Sequence, residues 1–200
     1  MTVDNKTRLV ILGAGGHSNV LIDLIKELNL KLYGVIDPKF KENEINWKKI
    51  KILDEKILNN EKSFYDLILV NGIGKILDSK KRGEVFLNYK KKSFTFKTLI
   101  HPFSKVSKQS IISEGVQVMA GAIIQSGVEI GENTIINTAA SVDHDCIIGK
   151  NSHISPGSVI CGGTKIGDDC FIGAGSIIVN NIDIKSGSII KAGKTITKSN

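Results

Sequence analysis

Four stretches of the chain combine residue types that could do chemistry. In Ser141-Val142-Asp143-His144-Asp145-Cys146 an imidazole stands between two carboxylates. A carboxylate next to an imidazole raises its basicity and fixes its tautomer, as a general base working near neutral pH requires. Two other readings stay open on these residues alone: a surface histidine among acidic turn residues, and a metal ligand. Zinc of the carbonic-anhydrase type would need three convergent histidines, and the short-spaced pair it calls for is missing. His153, in Asn151-Ser152-His153-Ile154-Ser155-Pro156, follows nine residues after His144.

The other two stretches are glycine turns. Leu9 to Leu12 ends in Gly13-Ala14-Gly15-Gly16-His17-Ser18, after which apolar residues recur at Val20, Leu21, Leu24, Ile25 and Leu28. This predicts strand, turn and helix; the glycines either let a phosphate reach the backbone N–H groups and the positive end of the helix dipole or serve the turn's geometry alone. The dinucleotide fingerprint would need a third glycine where Ser18 stands. Asp66 to Val70 then runs into Asn71-Gly72-Ile73-Gly74, ahead of a predicted helix from about Ile76 to Tyr89. Between the two, a strand from Tyr33 to Ile36 delivers Asp37, which either accepts a sugar hydroxyl or starts the turn at Pro38.

The elements that must carry these groups are of two kinds. From Ile100 to Ile196 an aliphatic residue falls on every sixth position. Helical and simple strand periods do not produce this pattern; a parallel β-helix does, each six-residue unit forming one face and three units one coil. Small residues four places on, such as Ala122, Thr134, Cys146 and Ser158, fit a tight inward corner. Gly131, Asn137, Gly149, Gly167 and Gly173 sit just after the aliphatic, where relaxed backbone sterics are expected at the turn. His144 and His153 are one and a half units apart and fall on different faces of a coil, so a site using both calls for residues of two chains. The first half alternates strand and helix, which predicts a parallel sheet covered by helices. Its weaker elements are a strand at Ile50 to Leu53 and one from Phe94 to Ile100, and His101 reads as a boundary residue. The division is expected at residues 1–98 and 99–200.

The charge of +7 is uneven: residues 1–97 hold 19 Lys/Arg against 12 Asp/Glu, whereas residues 98–200 hold 8 of each. Clusters at Lys48, Lys49 and Lys51, at Lys80, Lys81 and Arg82, and at Lys90, Lys91 and Lys92 either steer an anionic partner or form a solvated surface. Few aromatics accompany them, so nucleic acid is not the expected partner. No eighteen-residue apolar run or signal-peptide pattern is present, and a cytoplasmic protein is expected. Cys146, Cys161 and Cys170 show no metal-ligand spacing and read as reduced packing residues.

Taken in order, Val10-Ile11-Leu12-Gly13-Ala14-Gly15-Gly16-His17, Leu99-Ile100-His101-Pro102, Asn137-Thr138, Asp143-His144-Asp145-Cys146, His153-Ile154-Ser155-Pro156-Gly157 and Phe171-Ile172-Gly173 resemble the NeuD/PglD-like sugar O- and N-acetyltransferases. The resemblance implies a Rossmann-like α/β domain followed by a left-handed parallel β-helix that forms a homotrimer and binds acetyl-CoA. It implies that His144 is the general base and Asp145 its acidic partner. His153, Gly162, Gly173, Ala174 and Ala192 would bind the co-substrate, with the Gly162 N–H on the thioester oxygen. Gly13, Gly15, Gly16, His17, Asp37, Gly72, Ile73, Gly74 and Arg82 would form the nucleotide-sugar pocket, and Asn137 would orient the acceptor. No metal is implied. A nucleotide-linked amino sugar of a bacterial surface-glycan pathway is the expected acceptor, with sialic acid O-acetylation as the alternative. The chain departs from the family in lacking a Gly-x-Pro-Ala-type segment after the last coil. A dinucleotide-dependent dehydrogenase and a silent scaffold are the readings from other classes.

Overall fold

The computed structural model describes residues 7–40, 50–60, 66–75, 77 and 79–199. The chain divides into two compact units: the described residues of Met1–Gly74 with Val85–Lys97, and Lys75–Glu84 with the described residues of Thr98–Asn200. The expected break after residue 98 thus falls one residue earlier, and the segment Lys75–Glu84 groups with the repeat.

The first unit is built on β1 (Thr7–Leu12), α1 (Gly16–Glu27), β2 (Leu32–Ile36), α2 (Ile57–Asn60), β3 (Asp66–Asn71), part of α3 (Lys81–Lys91), and β4 (Thr95–Phe96). All sheet pairings are parallel, in the order β2-β1-β3-β4. Val10, Ile11, Leu69 and Val70 are buried, as expected of parallel strands covered on both faces. Helix α1 buries Leu21, Ile22, Leu24 and Ile25 at helical spacing. It ends where Asn29 takes a left-handed backbone with φ 52°. Phe86, Tyr89, Phe94 and Phe96 close the other side of the sheet, with the Phe86 and Phe96 rings 4.5 Å apart.

Three expectations for this half are corrected. The second helix begins at Lys81, and Ile76 lies outside the described residues, as do Lys48 and Lys49. Ile50 to Leu53 makes an isolated bridge, Val35 to Ile52, in place of a strand. Phe94 to Ile100 is two short strands: Thr95–Phe96 pairs with β3, whereas Leu99–Ile100 pairs with Gln117–Val118 of the repeat. Thr98 breaks the run, because its Oγ1 donates to Ser113 O at 2.9 Å and accepts from Gly115 N at 3.1 Å.

The second unit is a left-handed parallel β-solenoid of two-residue strands, β5 (Leu99–Ile100) to β21 (Thr195–Ile196), in three sheets of five, six and six strands. Each strand pairs with the one eighteen residues on, as Ser141–Val142 does with Val159–Ile160. The six-residue aliphatics fill the interior from Val118 to Ile190. At the small inward corner, side chains bond the next coil. Thr134, Ser152, Ser158, Thr164 and Ser176 donate to the carbonyls of Gly149, Gly167, Gly173, Val179 and Lys191 at 2.7–3.0 Å. Cys146 and Cys170 take the same place, their thiols donating to Cys161 O and Lys185 O at 3.1 Å.

Turn strain lies elsewhere than expected. Positive φ recurs three residues after the aliphatic, at Asn133, Ala139, Asp145, Asn151, Gly157 and Gly163 among others. Gly149, just after the aliphatic, serves close approach: a Cβ there would lie 2.5 Å from Asp168 N.

Candidate active site

The glycine turns of the first unit leave the C-terminal ends of β1 and β3, which are neighbours in the sheet. The chain moves from β1 outward to β2 and only later to β3 on the other side, so the turns flank a topological switch point. Gly15 and Gly16 open α1 with no side-chain cap and with clear space over their Cα atoms. Gly74 packs on His17, where a Cβ would lie 3.3 Å from the His17 Cβ. Gly13 takes φ 95° against Ile73.

Ser18, standing where a third glycine would be, joins the two turns. Its buried hydroxyl lies 2.7 Å from Gly13 O and 2.9 Å from Gly72 O. Asp37 binds protein amides in this structure: Oδ2 accepts from Ala14 N at 2.8 Å and Oδ1 from Lys39 N at 2.9 Å. It therefore both starts its own turn and holds the first glycine turn.

Arg82 was expected beside these turns. It belongs to the second unit, is 1 % exposed, and its Nε donates to Asn133 O at 2.9 Å. Burial pushes its guanidinium down to about 9. Lys75 acts beside it, donating from Nζ to Asn151 O at 3.0 Å and Asp169 O at 2.8 Å. Asn133, Asn151 and Asp169 stand at equivalent places on successive coils, all with positive φ. The eighteen-residue spacing of these three was visible in sequence; the two cations that bind their carbonyls carried no signal there.

His144 and Asp145 stand on the turn after Ser141–Val142. His144 Nδ1 lies 2.9 Å from Asp145 Oδ2. A carboxylate only accepts, so Nδ1 carries the proton and Nε2 presents its lone pair. The hydrogen bond to Asp145 first, and then the charge of Asp143, raise this imidazole above its ordinary value. The side chain is 60 % exposed. On the next coil, Nε2 passes directly over Gly162, where a Cβ would lie 2.6 Å away. The neighbouring amides are engaged, Cys161 N on Ile178 O and Gly163 N on His144 O. No acceptor meets the Gly162 N–H among the described residues.

His153 lies on a strand of a different sheet, stacked between Ile135 and Phe171. Thr138 N donates to Asn137 Oδ1 at 2.8 Å, which orients the amide so that Asn137 Nδ2 donates to His153 Nε2 at 3.0 Å. The proton consequently sits on Nδ1, which is buried and has no hydrogen-bond partner among the described residues. Burial, then the charge of Arg82, push this ring down to about 4; the Lys75 backbone opposes the shift without reaching hydrogen-bond geometry. Gly173, Ala174 and Ala192 lie along the same edge, which the stacking bond from Gly193 N to Ala174 O at 2.9 Å ties together.

Within the solenoid the candidate residues thus form two edges. One carries His144, Asp145 and Gly162; the other carries Asn137, His153, Gly173, Ala174 and Ala192. Among the described residues no group of three or more His, Cys, Asp or Glu side chains is placed to hold a metal ion.

The profile described as PglD N-terminal domain matches residues 8–87, and that of the bacterial transferase hexapeptide (six repeats) matches residues 127–162 and 163–198. No curated protein matches the chain in a sequence search. Among solved structures, the acetyltransferase domain of PglB from Neisseria gonorrhoeae is 30% identical, with a TM-score of 0.85 and coverage of 98% of this chain and 93% of that one; it is also seen in complex with acetyl coenzyme A. A histidine mutant of perosamine N-acetyltransferase from Caulobacter crescentus, in complex with CoA and GDP-perosamine, is 29% identical with a TM-score of 0.86, covering 96% of this chain and 89% of that one. WeeI from Acinetobacter baumannii shares the fold at 20% identity, with a TM-score of 0.71 and 96% coverage of both chains. Likeness over both units, at this identity, fixes the enzyme class: the chain is an acetyl-CoA-dependent sugar acetyltransferase. It belongs to the PglD/NeuD-like family.

Proposed function

We propose that the protein N-acetylates an amino sugar carried on a nucleotide, with His144 as general base. The observation that carries this reading is the His144–Asp145 hydrogen bond, which leaves Nε2 as an outward-facing lone pair beside the unspent amide of Gly162. Acetyl-CoA supplies the acetyl group as a thioester. His144 Nε2 takes the proton from the acceptor nitrogen as that nitrogen attacks the thioester carbonyl carbon. The Gly162 N–H donates to the carbonyl oxygen as it gains charge. When the C–S bond breaks, the imidazolium returns its proton to the departing thiolate. A base so placed contributes about 10²–10⁴ in rate.

The two edges of the solenoid support a homotrimer, in which the base edge of one protomer meets the alanine edge of its partner. Ile123, Val159 and Ile177, exposed around Ser141 on the outer face of one sheet, supply apolar surface for such packing. The glycine turns at the switch point suit a nucleotide diphosphate, and Gly15, Gly16 and His17 are the residues at its helix end. A perosamine N-acetyltransferase bound to GDP-perosamine among the similar structures favours an amine acceptor. Free cysteines and the use of acetyl-CoA suit a cytoplasmic step in surface-glycan assembly.

The test is thiol release from acetyl-CoA with UDP-, dTDP- and GDP-linked 4-amino sugars beside free sialic acid, for the natural chain and for His144→Asn. Turnover on an amino-sugar nucleotide, lost by about 10²–10⁴ in the variant with acetyl-CoA binding retained, is expected. Turnover on sialic acid alone would replace N- with O-acetylation, and full activity of His144→Asn would remove the base.

A further inference from the structure

Gly127 has no part in the reading above, yet it lies directly beneath the catalytic pair. It occupies the coil before Asp145, at the equivalent corner position, and Asp145 N donates to the adjacent Ser126 O at 3.0 Å. Asp145 has φ 57°, so its side chain folds back along the stack and does not point away from it. The carboxylate then rests over Gly127, and Asp145 Oδ1 fills the space that a Cβ on Gly127 would need. The other carboxylate oxygen, Oδ2, is thereby aimed at His144 Nδ1, 2.9 Å away. On the far side the imidazole lies against Gly162, and His144 O accepts from Gly163 N at 3.0 Å.

The corner glycines are not alike in this respect. Gly157, Gly175, Gly187 and Gly193 share the same left-handed backbone, with φ of 66–76°, and have nothing within 4 Å of an added Cβ. Their need for glycine is conformational alone. At Gly127 a second requirement is added, space for the carboxylate of the coil above; Gly163 makes the same space for the Asn181 amide oxygen, but only at Gly127 is the guest the partner of His144.

We propose that Gly127 is a positioning residue for the catalytic pair: the empty space over its Cα is where Asp145 folds to hold the proton of His144 Nδ1 and so aim Nε2. This rests on His144 acting as the base. An added methyl group displaces the carboxylate, and Asp145, 73 % exposed, swings into water without steric hindrance. The ring then loses the partner that fixes its tautomer and direction.

The experiment compares Gly127→Ala with Gly187→Ala, which imposes the same backbone strain at φ 76° without a displaced side chain. Losing one charge-assisted hydrogen bond lowers kcat by about 10- to 100-fold in Gly127→Ala, with KM for acetyl-CoA unchanged. The charged groups that bear on His144 are Asp145 and Asp143. With the larger of the two influences gone, the acidic limb of the kcat/KM profile moves to lower pH. Gly187→Ala keeps kcat and the profile while losing similar thermal stability. In an Asp145→Ala background, Gly127→Ala has no further effect on kcat, since it acts through the missing carboxylate.

Equal kcat and equal pH profiles for Gly127→Ala and Gly187→Ala overturn the proposal, as does an undiminished effect of Gly127→Ala in the Asp145→Ala background. The ring ¹⁵N resonances of His144 provide a readout apart from turnover. The natural chain holds the neutral proton on Nδ1, and Gly127→Ala shares it between both nitrogens; an unchanged spectrum refutes the seat. Should His144→Asn retain activity, the base assignment fails whatever these resonances show, so the two failures are distinguishable.

Discussion

His153 should remain neutral well into the acidic range, and the stability of the solenoid should depend on it. The ring is 9 % exposed, its Nε2 accepts from Asn137, and two buried cations, Arg82 and Lys75, add their repulsion to the cost of burying a charge. In the unfolded chain it takes a proton below about 6.5, and in the folded chain only below about 4. Between these values the unfolded state binds more protons, so stability falls as pH falls. The contribution is complete above about 6.5, and the full gap corresponds to about 3 kcal/mol, lost on approach to about pH 4. The assay pairs an NMR titration of the ring with urea unfolding near pH 7.5 and near pH 4.5 for the natural chain and for His153→Gln, which has no group to titrate. The natural chain should lose about 2–3 kcal/mol more than the variant across that interval. A ring that titrates near 6.5, or equal losses in both proteins, would refute the reasoning.

Other outcomes follow from the packing. Arg82→Met keeps much of the buried volume but leaves Asn133 O without its donor, and should lower unfolding free energy by about 2–3 kcal/mol in urea titrations. Ile172→Ala, in the fully buried interior of the solenoid, should cost about 2–5 kcal/mol, measured the same way, with the far-UV spectrum unchanged.

The solenoid was legible because its signal is one residue type at a fixed period, and each Ile or Val meets the same interior. The His144–Asp145 pair was legible for a related reason: its members are adjacent in sequence and bond within one turn. Gly127 was hidden although it stands one coil from Asp145, since its role depends on which corner position carries positive φ. Gly131, Gly149 and Gly167 point to another place in the repeat, where glycine serves close approach of the next coil. Asn, Asp and Ala share the positive-φ position with glycine. The bond from Arg82 to Asn133 was unreadable in a stronger sense. A lysine-rich stretch looks solvated, and its partner is a backbone carbonyl 51 residues away, which no side-chain pattern records.

The stacking of each coil on its neighbour eighteen residues away has a consequence for how such a chain can change by insertion and deletion. It works as a reading frame. Removing one residue from a strand would turn every later aliphatic outward, whereas adding residues at an exposed corner leaves the frame intact and alters only what that corner displays. Adding one whole coil of eighteen residues keeps the frame as well, but if it enters between Gly162 and Ala174 it moves the alanine edge one layer along the axis relative to His144. If His144 and the alanine edge act together as proposed, base and thioester groove would then be out of step in a protein whose core remained correctly packed. Genetic drift in such a lineage can therefore vary the corners outside the proposed site, while the number of layers between the two edges is fixed by the chemistry proposed for them.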